Sequence, residues 1–166
     1  MEADWRIFGR SIQLGQTSKV LIKSTDLKSK LMELDRFPGI KNWIGDAKAW
    51  NDVLMDYISD GKGGQKRRLG RFLLASNFSS FDKRLQGQVK ELKSKSGQSN
   101  VTFHICCGLA GGTGSGTVID VISQIRKRYT PLPGRGGYRI LLYTLMPEQN
   151  SNWAEANYYA NGYAAL

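Results

Sequence analysis

Residues 101 to 120, Val-Thr-Phe-His-Ile-Cys-Cys-Gly-Leu-Ala-Gly-Gly-Thr-Gly-Ser-Gly-Thr-Val-Ile-Asp, constrain the fold of this chain more than any other segment. A compact apolar run from Val101 to Cys107 predicts a buried strand. Glycines follow at 108, 111, 112, 114 and 116, and then Val118, Ile119, Ile122 and Ile125 form one stripe of a helix. Glycine at such density costs backbone entropy on folding and so asks for a use. Glycines let the backbone approach an anion and take up positive φ, while the free N–H groups at a helix start point at that anion and the helix dipole assists. Thr113 and Ser115 add hydroxyl donors. The segment predicts a phosphate cradle built from Gly108, Ala110, Gly111, Gly112, Thr113, Gly114, Ser115 and Gly116. The bland alternative is a flexible strand–helix connection with no ligand.

Two familiar phosphate motifs fit poorly. A P-loop needs Lys where Thr117 stands, and the dinucleotide fingerprint Gly-x-Gly-x-x-Gly is absent because Gly112, Gly114 and Gly116 alternate. A second candidate lies upstream, in Gly61-Lys-Gly-Gly-Gln-Lys-Arg-Arg-Leu-Gly-Arg71. The backbone amides of Gly63, Gly64 and Gln65 can form an anion nest there, with Lys66 or Arg67 adding charge. A solvated basic loop between two helices is the alternative for this stretch.

The remaining sequence supplies the frame. Val20, Leu21 and Ile22 centre a β-prone run at 18–25. Asp26 starts a helix with Leu27, Leu31 and Leu34 on one face, and Pro38-Gly39 reads as a turn. Trp50, Leu54 and Tyr57 recur at helical spacing, as do Leu69, Phe72, Leu73 and Ser76, and then Phe78, Phe81, Leu85, Val89 and Leu92. Lys93 to Asn100 is polar and reads as a loop, as does Pro131 to Gly137. Arg126, Lys127 and Arg128 close the helix after the glycines, where cations suit the dipole. Tyr138 to Met146 is a continuous apolar strand of the kind buried on both faces, and Trp153 to Leu166 is helix-prone. Strand, helix and second apolar strand together predict an α/β fold: a doubly wound, mostly parallel sheet with helices on both faces. Strands near 18–24, 101–107 and 138–146 are expected in that one sheet.

A length of 166 residues suits one domain, and 40% hydrophobic with 23% charged residues describes a globular chain. No apolar run approaches the ~18–20 residues that span a bilayer, and the N-terminus shows no secretory signal, so no membrane partner and a cytoplasmic location are expected. Cys106 and Cys107 point to opposite sides of a strand and are poorly placed to pair; both read as reduced, buried small hydrophobes. With His104 the one histidine, zinc is not expected. The net charge is +10, with basic clusters at Lys62, Lys66, Arg67, Arg68 and Arg71, at Arg126 to Arg128, and more loosely at Lys83, Arg84, Lys90, Lys93 and Lys95. This surplus favours polyanions, nucleotide phosphates and nucleic acid included; a plain solvated surface is the alternative.

Gly-Gly-Thr-Gly-Ser-Gly between a buried strand and a helix resembles the signature loop of the tubulin/FtsZ superfamily, with Ala110 at the position of its first glycine. Gly-Leu-Ala-Gly-Gly-Thr-Gly-Ser-Gly is similar to the version in the bacterial tubulin-like family. Residues 61–71 resemble that family's Gly-Ala-Gly-Gln-x-Arg-x-Leu-Gly-Arg segment, whose glycine-rich loop lies against the γ-phosphate in FtsZ-like proteins. Leu145-Met-Pro-Glu148 and Asn157-Tyr-Tyr-Ala-Asn-Gly-Tyr-Ala-Ala-Leu166 resemble its ribose loop and following helix. The resemblance implies a nucleotide site of Gly108, Ala110 to Gly116, Gly63, Gly64 and Gln65, with Glu148 at the ribose, and GTP with Mg²⁺ as the ligands. The arginine of FtsZ-like proteins after this loop has no counterpart, since Trp153, Glu155 and Asn157 stand there. The resemblance covers residues 61–166 clearly; before that it is limited to Lys41-Asn42-Trp43 after Pro38-Gly39.

The resemblance also implies that the first strand with its own phosphate loop, and everything after the ribose-loop helix, fall outside residues 1–166. Without the acidic loop of that later region, no GTP hydrolysis by this segment alone is expected. The leading expectation is part of a tubulin-like, GTP-binding protein that forms homo-oligomers or filaments. Its rival is a non-catalytic interaction module of the same fold, binding nucleic acid or a protein partner through its basic surface.

Overall fold

Leucines, isoleucines and aromatics at three- and four-residue spacings dominate the first half of the chain, and helices follow from them. The computed structural model describes residues 5–7, 10–12, 19–22, 26–60, 65–130, 138–152 and 156–166. Two short strands, β1 (Trp5–Ile7) and β2 (Arg10–Ile12), pair antiparallel. Helices α1 (Leu27–Met32), α2 (Pro38–Ile44), α3 (Asn51–Asp60), α4 (Arg67–Ser76) and α5 (Phe78–Ser96) precede strand β3 (Thr102–Gly108). Helix α6 (Gly112–Arg128), strand β4 (Arg139–Leu145) and helix α7 (Tyr158–Ala164) complete the order.

One core lies among the helices. Leu27 and Leu31 of α1, Ile40 and Ile44 of α2, Trp50, Leu54 of α3, and Leu69, Phe72 and Leu73 of α4 are all buried together. Trp50 meets Phe72 edge to face, with ring centroids 6.1 Å apart, and its indole N–H donates to the Ile44 carbonyl at 2.9 Å. Burial of such side chains is worth about 1.5–3 kcal/mol each. The expected faces of α1, α3 and α4 are therefore the ones that pack. Pro38-Gly39, expected as a turn, instead opens α2: proline has no N–H to lose at the first helical position and its φ is already helical.

The second core lies on the sheet. Val89 of α5, Phe103 of β3 and Ile125 of α6 are buried together, with Leu85, Val121, Tyr129, Tyr138 and Ile140 around them. β3 and β4 run parallel, as the strand–helix–strand pattern predicts, in the register Phe103 to Ile140, Ile105 to Leu142 and Gly108 to Leu145. Among the described residues the sheet holds these two strands, and α5 and α6 both cover its Phe103 face. The expected wrapping on both faces is thus present on one.

Several other expectations need correction. Residues 19–22 lie in no strand, and Leu21 is exposed, so the described part of 18–24 adds nothing to the sheet. β4 is not buried on both faces: Leu141, Tyr143 and Leu145 are exposed on the side away from α5 and α6, and Leu142, on the helix side, is exposed as well. Cys106 shares that open side and is exposed, while Cys107 is half-buried; both are free thiols on opposite faces. The polar stretch from Lys93 continues α5 to Ser96, where Gly97 takes a left-handed φ of 66° and ends the helix. In α6, Val118 and Ile125 are buried but Ile119 is 64% exposed, so the apolar stripe is narrower than its sequence suggests. The predicted loop at 131–137 lies outside the described residues.

Candidate functional site

β3 and β4 end together, because their register pairs Gly108 with Leu145 and the Leu109 N–H donates to the Leu145 carbonyl at 2.9 Å. The loops leaving the two strands therefore share the carboxyl edge of the sheet, the edge at which open α/β sheets bind ligands. One loop runs through Ala110 into α6; the other carries Met146, Pro147 and Glu148.

Helix α6 begins at Gly112, with Gly111 as its N-cap in extended conformation (φ −78°, ψ 159°) and no side-chain cap. Its first amides have no intrahelical acceptor and sit at the positive end of the dipole. A Cβ built on Gly108 or Gly111 would meet nothing within 4 Å, so both positions face open space. Thr113 is exposed. These features together leave room for an anion at the helix start.

The other glycines serve a different purpose. None of Gly108, Gly111, Gly112, Gly114 and Gly116 has a positive φ, contrary to expectation. Gly112, Gly114 and Gly116 lie within the first turns of α6, where packing determines their identity. A Cβ on Gly112 would lie 2.8 Å from the Lys66 N, and one on Gly116 would overlap the Arg67 carbonyl. From the other side, a Cβ on Gly70 of α4 would lie 2.5 Å from the Gly112 carbonyl. Glycine on both helices thus lets α4 and α6 meet backbone to backbone. Gly114 packs inward, where a Cβ would lie 2.8 Å from the Gly108 carbonyl.

Ser115, expected as a hydroxyl donor to phosphate, is buried, and its Oγ donates to the Gly111 carbonyl. That bond ties the helix start to its own cap and removes the hydroxyl from any ligand. Thr117 does the same one residue pair later, donating to the Thr113 carbonyl at 2.7 Å. Of the two expected hydroxyls, Thr113 alone remains accessible.

Gln65 is brought against this loop. It has φ 53°, an uncommon value for a non-glycine residue and consistent with a tight turn into α4. Its carbonyl accepts from Asn161 Nδ2 at 2.6 Å, and the same amide donates to the Ala110 carbonyl at 2.9 Å. Asn161 of α7 is buried and so clasps both glycine-rich segments at once. Gly63 and Gly64 lie outside the described residues. Glu148 occupies the neighbouring loop with its side chain exposed, and its backbone N–H donates to the buried Tyr158 hydroxyl at 3.1 Å. Of the tyrosines of α7, Tyr158 packs inward, while Tyr159 and Tyr163 are exposed. Gly162 faces Pro147, whose ring a Cβ at that position would overlap, so α7 seats on the second loop as well.

Asn161, Gly70 and Arg67 were not singled out by sequence for these contacts. Asn161 had a signal: a carboxamide on a helix of small and aromatic residues must find hydrogen-bond partners if it is buried. Arg67 Nη2 donates to the Ser115 carbonyl at 3.1 Å. Arg71 makes a bidentate pair with Asp120, at 2.6 and 2.8 Å, and stacks on the Trp43 ring at 4.3 Å. Burial and the neighbouring Cys106 push the Cys107 thiol above its ordinary pKa. No group of three or more potential metal-ligating side chains occurs among the described residues.

A parallel strand pair, a glycine-capped helix at its carboxyl edge and Gln65 pinned beside it define an α/β protein with an open, glycine-rich loop at that edge. The family model for tubulin-like proteins matches residues 3–166, and the chain belongs to the tubulin-like family. The match extends through the N-terminal third, where resemblance by motif was slight. No curated protein and no solved structure matches the chain.

Proposed function

We propose that this chain is a guanine-nucleotide-binding member of its family, holding nucleotide phosphate at the β3–α6 junction. The observation that carries this reading is the uncapped start of α6, with Gly108 and Gly111 facing open space at the carboxyl edge of the sheet. A phosphate fits there through the amides of Gly112 and Thr113 and the Thr113 hydroxyl. Gln65 would approach from the side, and Glu148 from the next loop would reach the ribose; Gly63 and Gly64 belong to the same proposed site by sequence. Magnesium, when present, would be held largely by the phosphates, as is usual for that ion. A doubly wound domain, filament assembly and a cytoplasmic location belong to the same proposal.

GTP with Mg²⁺ should raise the melting temperature, and Gly111→Val should abolish that shift while leaving the unliganded melting temperature within a few degrees. Full stabilisation of the variant by GTP would sink the assignment.

A second reading rests on the pairing of Arg128 with Asp82, at 2.9 and 2.7 Å, which brings the basic end of α6 beside α5. Lys83, Arg84, Lys90, Arg126 and Lys127 are exposed there. On that reading the chain is a non-catalytic module binding nucleic acid through this surface. Salt-sensitive nucleic-acid binding, with no thermal response to GTP, would favour it.

A further inference from the structure

The flank of α6 facing α4 contains a cavity of about 470 Å³ that the nucleotide reading leaves unused. Trp43, Arg67, Arg68 and Arg71 line it, with Ser115, Gly116, Ile119 and Asp120 of α6. Arg71 is paired with Asp120 and lies over the Trp43 ring, 4.3 Å from its centroid, on one side of the cavity. Arg67 and Arg68 have no carboxylate partner among the described residues. Arg67 is anchored through Nη2 to the Ser115 carbonyl, and its buried Nε lacks an acceptor. Two uncompensated guanidinium groups thus meet in one concave site.

We infer that this cavity binds the phosphate group of a small organic phosphate. Planar guanidinium forks match the oxygens of a phosphate, and two of them balance its charge of about −1.5 to −2. The volume lies in the ~300–1,000 Å³ range of ligand sites and exceeds what a bare ion needs. A second cavity of about 280 Å³ shares Trp43, Arg71 and Asp120 with the first, and is also lined by the apolar Ile40, Leu74 and Phe78. Exposed Ile119 beside the arginines has no apolar cover of its own. The organic part of the ligand lies along this apolar side, with its phosphate at Arg67 and Arg68. The inference does not depend on nucleotide binding at the β3–α6 loop: Ser115 and Gly116 line this cavity from the side of α6, but Gly111, Gly112 and Thr113, which would meet the nucleotide phosphate, do not.

Calorimetric titration of the 166-residue chain with phenyl phosphate, inorganic phosphate and benzoate tests the site. Phenyl phosphate should bind at one site and more tightly than the other two. Arg68→Gln, at an exposed position, should weaken it about tenfold, the scale of losing hydrogen bonds to a charged group. Arg68→Lys, which keeps charge but loses the fork, should fall between. Gly111→Val should leave phenyl phosphate binding unchanged, whatever it does to GTP. The inference is overturned by any of four results: no saturable binding, equal affinity for benzoate or inorganic phosphate, an Arg68→Gln variant that binds normally, or loss of binding in Gly111→Val.

Discussion

Helix α6 has two sides that use the same residue type for opposite ends. On the flank against α4, Gly70, Gly112 and Gly116 remove side chains so that two backbones can touch, and nothing else could fit. At the open tip, Gly108 and Gly111 have no neighbour within 4 Å of a built Cβ, so a side chain would cost the fold little. The comparison teaches that glycine density in a sequence is a sum of two demands. Only substitution at each position separates packing from access.

The largest effect expected is at the seam. Gly116→Val should cost at least ~3 kcal/mol and leave little folded protein, because its Cβ overlaps backbone that cannot move aside. Gly70→Ala should act in the same direction, and Gly111→Ala should stay within about 0.5 kcal/mol; denaturant melts of all three would show it. Equal losses at 70 and 111 would break the distinction. Gly114→Val should also fail by unfolding, through β3 rather than the seam, since its Cβ would lie 2.8 Å from the Gly108 carbonyl.

Next in size is Asn161→Ala. It leaves the Gln65 and Ala110 carbonyls without their donor, and should cost about 1–3 kcal/mol of stability while also weakening GTP binding. A stable variant with normal GTP affinity would show that the two segments hold their places unaided. Thr113→Ala should cost about 1–2 kcal/mol in GTP binding by calorimetry and almost nothing in melting temperature. A loss confined to melting temperature would move Thr113 from the tip to the seam.

The smallest effect extends the contrast to the sheet. Cys106 lies on the open face and Cys107 on the side toward the helices, where its thiol pKa is raised and its thiolate fraction near pH 8 is correspondingly reduced. Iodoacetamide should therefore label Cys106 several-fold faster, as read by peptide mass spectrometry. Comparable rates would mean that the face behind β3 opens readily.

Much of this could be read from residues 101–128, because periodicity and glycine punctuation are local signals. The strand and the helix follow from that stretch; the parallel pairing needs the apolar run at 138–146 as well, and the family resemblance the segments at 61–71, 145–148 and 157–166. What failed was whatever depends on a neighbour. Ser115 looks like a phosphate ligand until its position puts the Gly111 carbonyl in reach. The apolar run of β4 says that burial is favourable without saying which face receives a helix, and Leu141, Tyr143 and Leu145 are bare. Positive φ was inferred from glycine identity, yet in this loop the glycines answer to steric contact with α4 and β3.

The Asn161 clasp has a kinetic consequence. It joins residues 96 and 51 positions apart, contacts that can close only after most of the chain has been gathered. Helix α7 is short, and it carries both hydrogen bonds on one side chain. Its docking is therefore a late event in folding, and its release an early one in local opening. When it lifts, Gln65 and Ala110 lose their shared donor in the same moment, so the two segments should exchange their amide hydrogens as a unit rather than one by one.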